Sequence, residues 1–164
     1  MRHTAAIALG SNLASVYSDR NTGGDREADR EANLREAIRR LGDLGDVTAV
    51  SSFYDTEPVG YIDQPRFLNA AALLQTSIDP LDLLRALLAI EHAMGRERLI
   101  DKGPRVIDLD LLLYDNRIMS TVELTLPHPE MHTRRFVLEP LAEIAGDWTH
   151  PALHKTVADL LRGL

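Results

Sequence analysis

The amino-acid sequence predicts an α+β fold on three observations. Four short runs, 4–9, 47–54, 67–76 and 106–114, read as strands. Two stretches between them, 34–41 and 80–94, repeat apolar residues at helical spacing. Their order is strand, helix, strand, strand, helix, strand. That is the split βαβ arrangement of the ferredoxin-like class, βαββαβ: an antiparallel sheet with helices on one face, here with a carboxy-terminal extension.

Each element has a local cause. Residues 4–9 are apolar and end at Gly10-Ser11-Asn12, a buried strand entering a turn. Residues 17–31 are polar around Asn21-Thr22-Gly23-Gly24 and read as an excursion whose end can extend the next helix. Leu34, Ala37, Ile38 and Leu41 mark one helical face, with Gly42 at the C-cap position. Residues 47–54 are β-branched and aromatic, hence strand. Residues 57–65 form a loop broken by Pro58, Gly60 and Pro65. Residues 67–76 fit strand or helix by pattern, and their position before a strong helix start favours strand. That start is Asp79-Pro80, an N-cap and a proline at the first helical position. Leu83, Leu84, Leu87, Leu88 and Met94 are expected on one helical face, closed by Gly95. A charged loop spans 96–105. After the fourth strand, Asp115-Asn116 turns the chain, Leu126-Pro127-His128-Pro129 punctuates it, and a short helix is expected near 156–161.

All 164 residues are read as one domain, 1–164, with a formal net charge of −7 and no cysteine. The charge disfavours a nucleic-acid or membrane-surface role, and disulfides and thiolate metal sites are excluded. The amino terminus is too short in apolar residues for a signal peptide or a span, so a cytoplasmic protein is expected. Its expected partners are small molecules, without nucleic acid or membrane, and it is expected to act as a monomer.

The chemistry begins at Asp108 and Asp110. Residues two apart on a strand share a face, about 6.5–7 Å apart along the chain. Ile107, Leu109 and Leu111 then face the core, and the carboxylates project together from the other side. Parallel carboxylates repel unless a proton or cation lies between them, and magnesium suits two hard oxygen ligands plus water and phosphate. The same alternation also fits two solvent-facing acids on an open sheet face. Arg96, Arg98, Lys102 and Arg105 crowd the preceding loop, where guanidinium groups can fork onto phosphate, or simply meet solvent. His128 stands between two prolines, with His132, Arg134 and Arg135 following. No glycine-rich phosphate loop is present, so side chains must hold any nucleotide.

Gly103-Pro104-Arg105-Val106-Ile107-Asp108-Leu109-Asp110-Leu111-Leu112 resembles the signature of the 6-hydroxymethyl-7,8-dihydropterin pyrophosphokinase family. The resemblance continues in Ile7 to Leu13, in Ser51 to Pro58 with Gln64 to Asn69, and in Leu126 to Pro129 with Arg134 to Leu141. It implies transfer of pyrophosphate from ATP, as co-substrate, to the hydroxymethyl group of the reduced pterin in folate biosynthesis. It implies two Mg²⁺ ions on Asp108 and Asp110. Arg96, Arg105 and Asp110 would be catalytic, and Glu91, Arg98, Leu112, Thr125, His128 and Arg134 would line the nucleotide site. Thr56, Val59, Phe67, Asn69 and Phe136 would form the pterin pocket. A flat heterocycle wants ring faces and amide-type hydrogen bonds, which Phe67, Phe136 and Asn69 can supply. By themselves the two phenylalanines also fit a core, and Asn69 a buried amide satisfied by backbone.

The chain departs from the family at Lys102, where an aromatic residue is frequent, at Glu57 for a proline and at Phe67 for a tyrosine. The loops at 57–66 and 95–103 are expected to close over substrates. Two other functions fit the residues without the resemblance: a ligand-binding module without catalysis, and a metal-dependent phosphohydrolase.

Overall fold

The computed structural model describes residues 2–12, 26–56, 67–95 and 106–164. Arg96, Arg98, Lys102, Arg105, Val59, both expected closing loops (but for Gly95) and most of the polar excursion lie outside these residues.

The chain runs β1 (His3–Ser11), α1 (Arg26–Leu41), β2 (Asp46–Val50), β3 (Tyr54–Thr56), β4 (Phe67–Thr76), α2 (Pro80–Gly95) and β5 (Asp108–Tyr114). A small hairpin of β6 (Met119–Ser120) and β7 (Thr125–Leu126), then α3 (Arg135–Ala145) and α4 (Val157–Arg162), complete it. The main sheet has the order β2-β4-β1-β5, with β3 also on β4, and every pair is antiparallel. This is the ferredoxin-like arrangement.

The strand expected at 47–54 is interrupted. Ser51 takes over the ladder there: its N–H donates to the Ala71 carbonyl at 2.9 Å, and its Oγ accepts from the Ala71 N–H at 2.9 Å. A side chain that replaces a ladder partner breaks the pleat, as at a bulge. The strand splits into β2 and β3, and β3 is free to follow its own register, Tyr54 opposite Asn69 and Thr56 opposite Phe67.

One face of the sheet packs on α1 and α2. Leu34, Ala37 and Leu41 meet Leu83, Leu87 and Met94 over Ile7, Leu9, Leu74, Leu109 and Leu111. The buried stripe of α2 runs Leu83, Leu87, Ile90, Met94. Leu88, expected in that stripe, is 51 % exposed, because its angular position has rotated past the contact with the sheet.

The opposite face has its own core. Met131, Val137, Leu138, Leu141, Ala145 and Val157 pack on Ala6, Ala71, Leu112 and Leu113. The carboxy-terminal extension is therefore a third layer, and small residues on the central strands let α3 lie close to the sheet. A register shift lets this work: Ala6 faces Leu113 while Ile7 faces Leu111, so Leu112 is an extra residue in β5. Leu112 and Leu113 both serve the second core, and Tyr114 returns to the first. There the Tyr114 hydroxyl donates to the Ile78 carbonyl at 2.6 Å.

Candidate functional site

Strand register brings the polar residues together on the α3 face. Asn69, Gly10 and Asp108 form one row across β4, β1 and β5, and Ala71, Ala8 and Asp110 form the next. With strands about 4.8 Å apart, the Asn69 and Asp108 backbones stand about 10 Å apart across Gly10. The face of Asp108 and Asp110 follows from Leu109 and Leu111, which are buried in the first core, as the alternation predicts. Both aspartates are half-buried.

Gly10 lies between the acids and the amide, although the sequence reading treats it only as part of a turn. It lies inside β1, opposite Asn69. A Cβ at this position would stand 3.1 Å from Asn69 Oδ1 and 3.6 Å from Phe67 Cδ1. Its missing side chain keeps the floor between the acids and the amide open. No local signal could have revealed this, because the crowding comes from another strand.

At the β3 edge, Asn69 Nδ2 donates to Thr56 Oγ1. This bond fixes the amide, leaves Oδ1 as an acceptor and leaves the Thr56 hydroxyl hydrogen as a donor. Asn69 is buried, while Thr56 and Phe67 are half-buried beside it. Phe136 rises from the first turn of α3, half-buried, with the Arg134 guanidinium 5.6 Å from its ring centroid. Two half-buried rings, a donor and an acceptor are what a flat heterocycle with an amide edge requires.

On the acid side, the His128 N–H donates to the Leu112 carbonyl at 2.9 Å, which pins the Pro127-His128-Pro129 segment to β5. His128 Nδ1 accepts from the Glu130 N–H at 3.2 Å, so the neutral ring carries its proton on Nε2. Burial holds the imidazole pKa below its ordinary value; Asp110 opposes that shift and Arg134 adds to it. The acid Asp110 and the guanidinium of Arg134 thus act on this imidazole with opposite signs. Arg134 also pairs with Glu130.

The remaining expected residues fall in different places. Glu91 on α2 accepts from the Leu109 N–H at 2.7 Å, so its carboxylate braces the β5 edge between the two aspartates. The Leu112 side chain is sealed in the second core, and only its backbone reaches toward His128. Thr125 is exposed on β7, opposite Ser120. Among the described residues no cluster of three or more potential metal ligands occurs. Two carboxylates alone suit magnesium, which keeps several waters and takes phosphate oxygens for the rest of its shell.

Two acids that can take a hard cation, an imidazole and a guanidinium that can meet phosphate, and two rings beside an amide edge are the groups used by one class: enzymes that move a phosphorus group onto a flat substrate. A family model described as 7,8-dihydro-6-hydroxymethylpterin-pyrophosphokinase matches residues 6–146. A 2-amino-4-hydroxy-6-hydroxymethyldihydropteridine pyrophosphokinase of Bacillus subtilis is 44 % identical over 146 residues, covering 88 % of this chain and 79 % of its own. The enzyme of that name from Haemophilus influenzae is 43 % identical over 150 residues, covering 90 % and 85 %. Among solved structures, Plasmodium falciparum HPPK-DHPS with pteroate superposes with a TM-score of 0.73 at 15 % identity, over 99 % of this chain and 42 % of that longer one. The chain belongs to the 7,8-dihydro-6-hydroxymethylpterin-pyrophosphokinase family. It is a transferase of folate biosynthesis that moves pyrophosphate from ATP to the hydroxymethyl group of the dihydropterin. No helix among the described residues is long and apolar enough to cross a membrane.

Proposed function

We propose that Asp108 and Asp110 hold two Mg²⁺ ions on the triphosphate of ATP, while Thr56, Val59, Phe67, Asn69 and Phe136 hold the pterin. The observation that carries this is the shared face: Asp108 and Asn69 stand in one row separated only by Gly10, and Asp110 projects from the adjacent row. Bound metal supplies neutralisation of phosphate charge.

The protein's own residues do the rest. Thr56 and Asn69 offer a donor and an acceptor to the ring edge, and Phe67 and Phe136 cover its faces. The pterin hydroxyl oxygen forms a bond to the β-phosphorus as the bond from that phosphorus to the α–β bridging oxygen breaks; the hydroxyl proton is given up to solvent, and AMP leaves. Arg96 and Arg105 neutralise charge as it develops, with Arg98, His128 and Arg134 as further contacts to the nucleotide. Neutral His128 donates through Nε2. Glu91 acts from behind, on the strand that presents the acids. Leu112 and Thr125 border the nucleotide, Leu112 through its backbone. We place the whole of 1–164 in one domain acting as a cytoplasmic monomer on small molecules.

The test is AMP formation from ATP, Mg²⁺ and hydroxymethyl dihydropterin. AMP should require the pterin. Asp110→Ala should cut kcat by at least ~10³-fold with the melting temperature nearly unchanged, since the group lies at the surface of a charged site. An Asp110→Ala enzyme of normal rate would refute the metal assignment.

A further inference from the structure

Among the described residues, most acidic side chains on the helices pair with an arginine a turn away, as Glu31 does with Arg35 and Glu36 with Arg39 and Arg40. Glu143 does something different. From the surface of α3 it reaches the link between β2 and β3, some ninety residues earlier in the chain. Its carboxylate accepts from the Ser52 N–H at 2.9 Å on Oε2 and 3.1 Å on Oε1. It also accepts from Ser52 Oγ at 3.2 Å and from the Tyr54 hydroxyl at 2.5 Å. The Tyr54 bond, then the Ser52 N–H, hold the Glu143 pKa below the ordinary carboxylate range, and the Tyr54 phenol is pushed up to about 12.

The position of this grip matters more than its strength. Phe136 and Glu143 are seven residues apart on α3, two turns on one face, about 10 Å along the axis. Tyr54 and Thr56 are two residues apart on β3 and share a face, about 7 Å along the strand. The two elements thus run from the Glu143–Tyr54 bond toward the pterin slot, where Phe136 and the Thr56–Asn69 pair stand. β3 is only three residues long and, among the described strands, pairs with β4 alone. On its other face Asp55 pairs with buried Arg30 of α1 at 3.5 Å. Without Glu143, nothing polar in the described structure ties β3 to α3.

We propose that Glu143 is a positioning residue for the dihydropterin. By gripping Ser52 and Tyr54 it sets the separation between the amide edge on the sheet and the Phe136 ring on α3, and so governs pterin affinity while leaving the nucleotide side alone. Its substrate class rests on the pterin reading of the site above.

The test is steady-state kinetics of Glu143→Ala, Glu143→Gln and Tyr54→Phe, with the pterin and ATP varied separately. Losing the charged acceptor should raise the pterin KM by about tenfold in Glu143→Ala, with the ATP KM within about twofold of the parent. Glu143→Gln keeps an acceptor oxygen for one donor and should recover part of that loss. Tyr54→Phe removes one bond and should raise the pterin KM by a smaller factor. Thermal melts accompany each variant; if Glu143→Ala does not fold, the other two carry the test. A parallel rise in both KM values, or an unchanged pterin KM in all folded variants, overturns the clamp. Failure of the parent enzyme to make AMP in a pterin-dependent way would instead overturn the site reading, so the two failures are distinct.

Discussion

The two faces of the main sheet differ in how completely they are covered. On the first, α1 and α2 span the strands, and the contributing side chains are large and aliphatic, among them Leu34, Leu41, Leu74, Leu83 and Leu87. On the second, α3 and α4 cover only the rows from Ala6 and Ala71 onward. Asp110 stands at the end of the Ala71 row, and beyond it the side chains become Asn69, Asp108, Thr56 and Phe67, with His128 and Phe136 at the border. One sheet therefore has a face built for stability and a face shared between stability and the proposed site. Buried polar groups are costly unless partnered, so they gather where substrate and solvent can supply what the protein does not.

Truncating one leucine on each face is the sharpest way to break this comparison. Leu87→Ala and Leu138→Ala each remove a fully buried side chain, and each should cost about 2–5 kcal/mol in chemical denaturation. Their kinetics should differ. Leu138 lies two residues from Phe136 in α3, so its loss should also raise the pterin KM, whereas Leu87→Ala should leave the surviving folded enzyme kinetically normal. Equal kinetic effects would mean the two cores are not separable.

Gly10→Ala probes the open half of the second face. The strand backbone there tolerates any residue, but the added Cβ meets Asn69 Oδ1 at 3.1 Å. The amide must shift by a few tenths of an ångström, which should raise the pterin KM by about tenfold with little change in melting temperature. An unchanged KM would show that the floor is not part of the pterin slot.

The smallest effect is a pH dependence confined to the second face. Burial holds the His128 pKa below 6.5, the value expected in the unfolded chain. As pH falls below about 6.5 the unfolded state takes up a proton that the folded state resists, so this contribution to stability is present above that pH and lost below it. His150, also lowered by burial, acts in the same direction. Denaturation of the parent and of His128→Gln across pH 5 to 8 should show a gap that narrows toward acid. A gap independent of pH would sink the assignment.

Much of this was legible in the residue order. Helical periodicity located α1 and α2, and Asp79-Pro80 placed the start of α2. The alternation Ile107, Asp108, Leu109, Asp110, Leu111 predicted both the strand and the side on which its acids emerge, because period-two packing is a local property. The resemblance carried by Gly103 to Leu112 named the family before any geometry was available. Other features were not readable. The break at Ser51 depends on a cross-strand partner, Ala71. Leu88 and Leu87 are equally apolar, and only the angle at which α2 meets the sheet separates them.

By itself, then, the sequence determined the positions of the elements and the pairing of the acids, which follow from spacing within single segments, the fold class, which follows from the order of those segments, and, through the family resemblance, the reaction. Only the tertiary structure decided that the carboxy-terminal extension roofs the second face, that Gly10 is the floor between Asn69 and Asp108, and that Glu143 ties α3 to β3. Those contacts join segments dozens of residues apart, and their distances are set by strand register and helix docking, which no local pattern encodes.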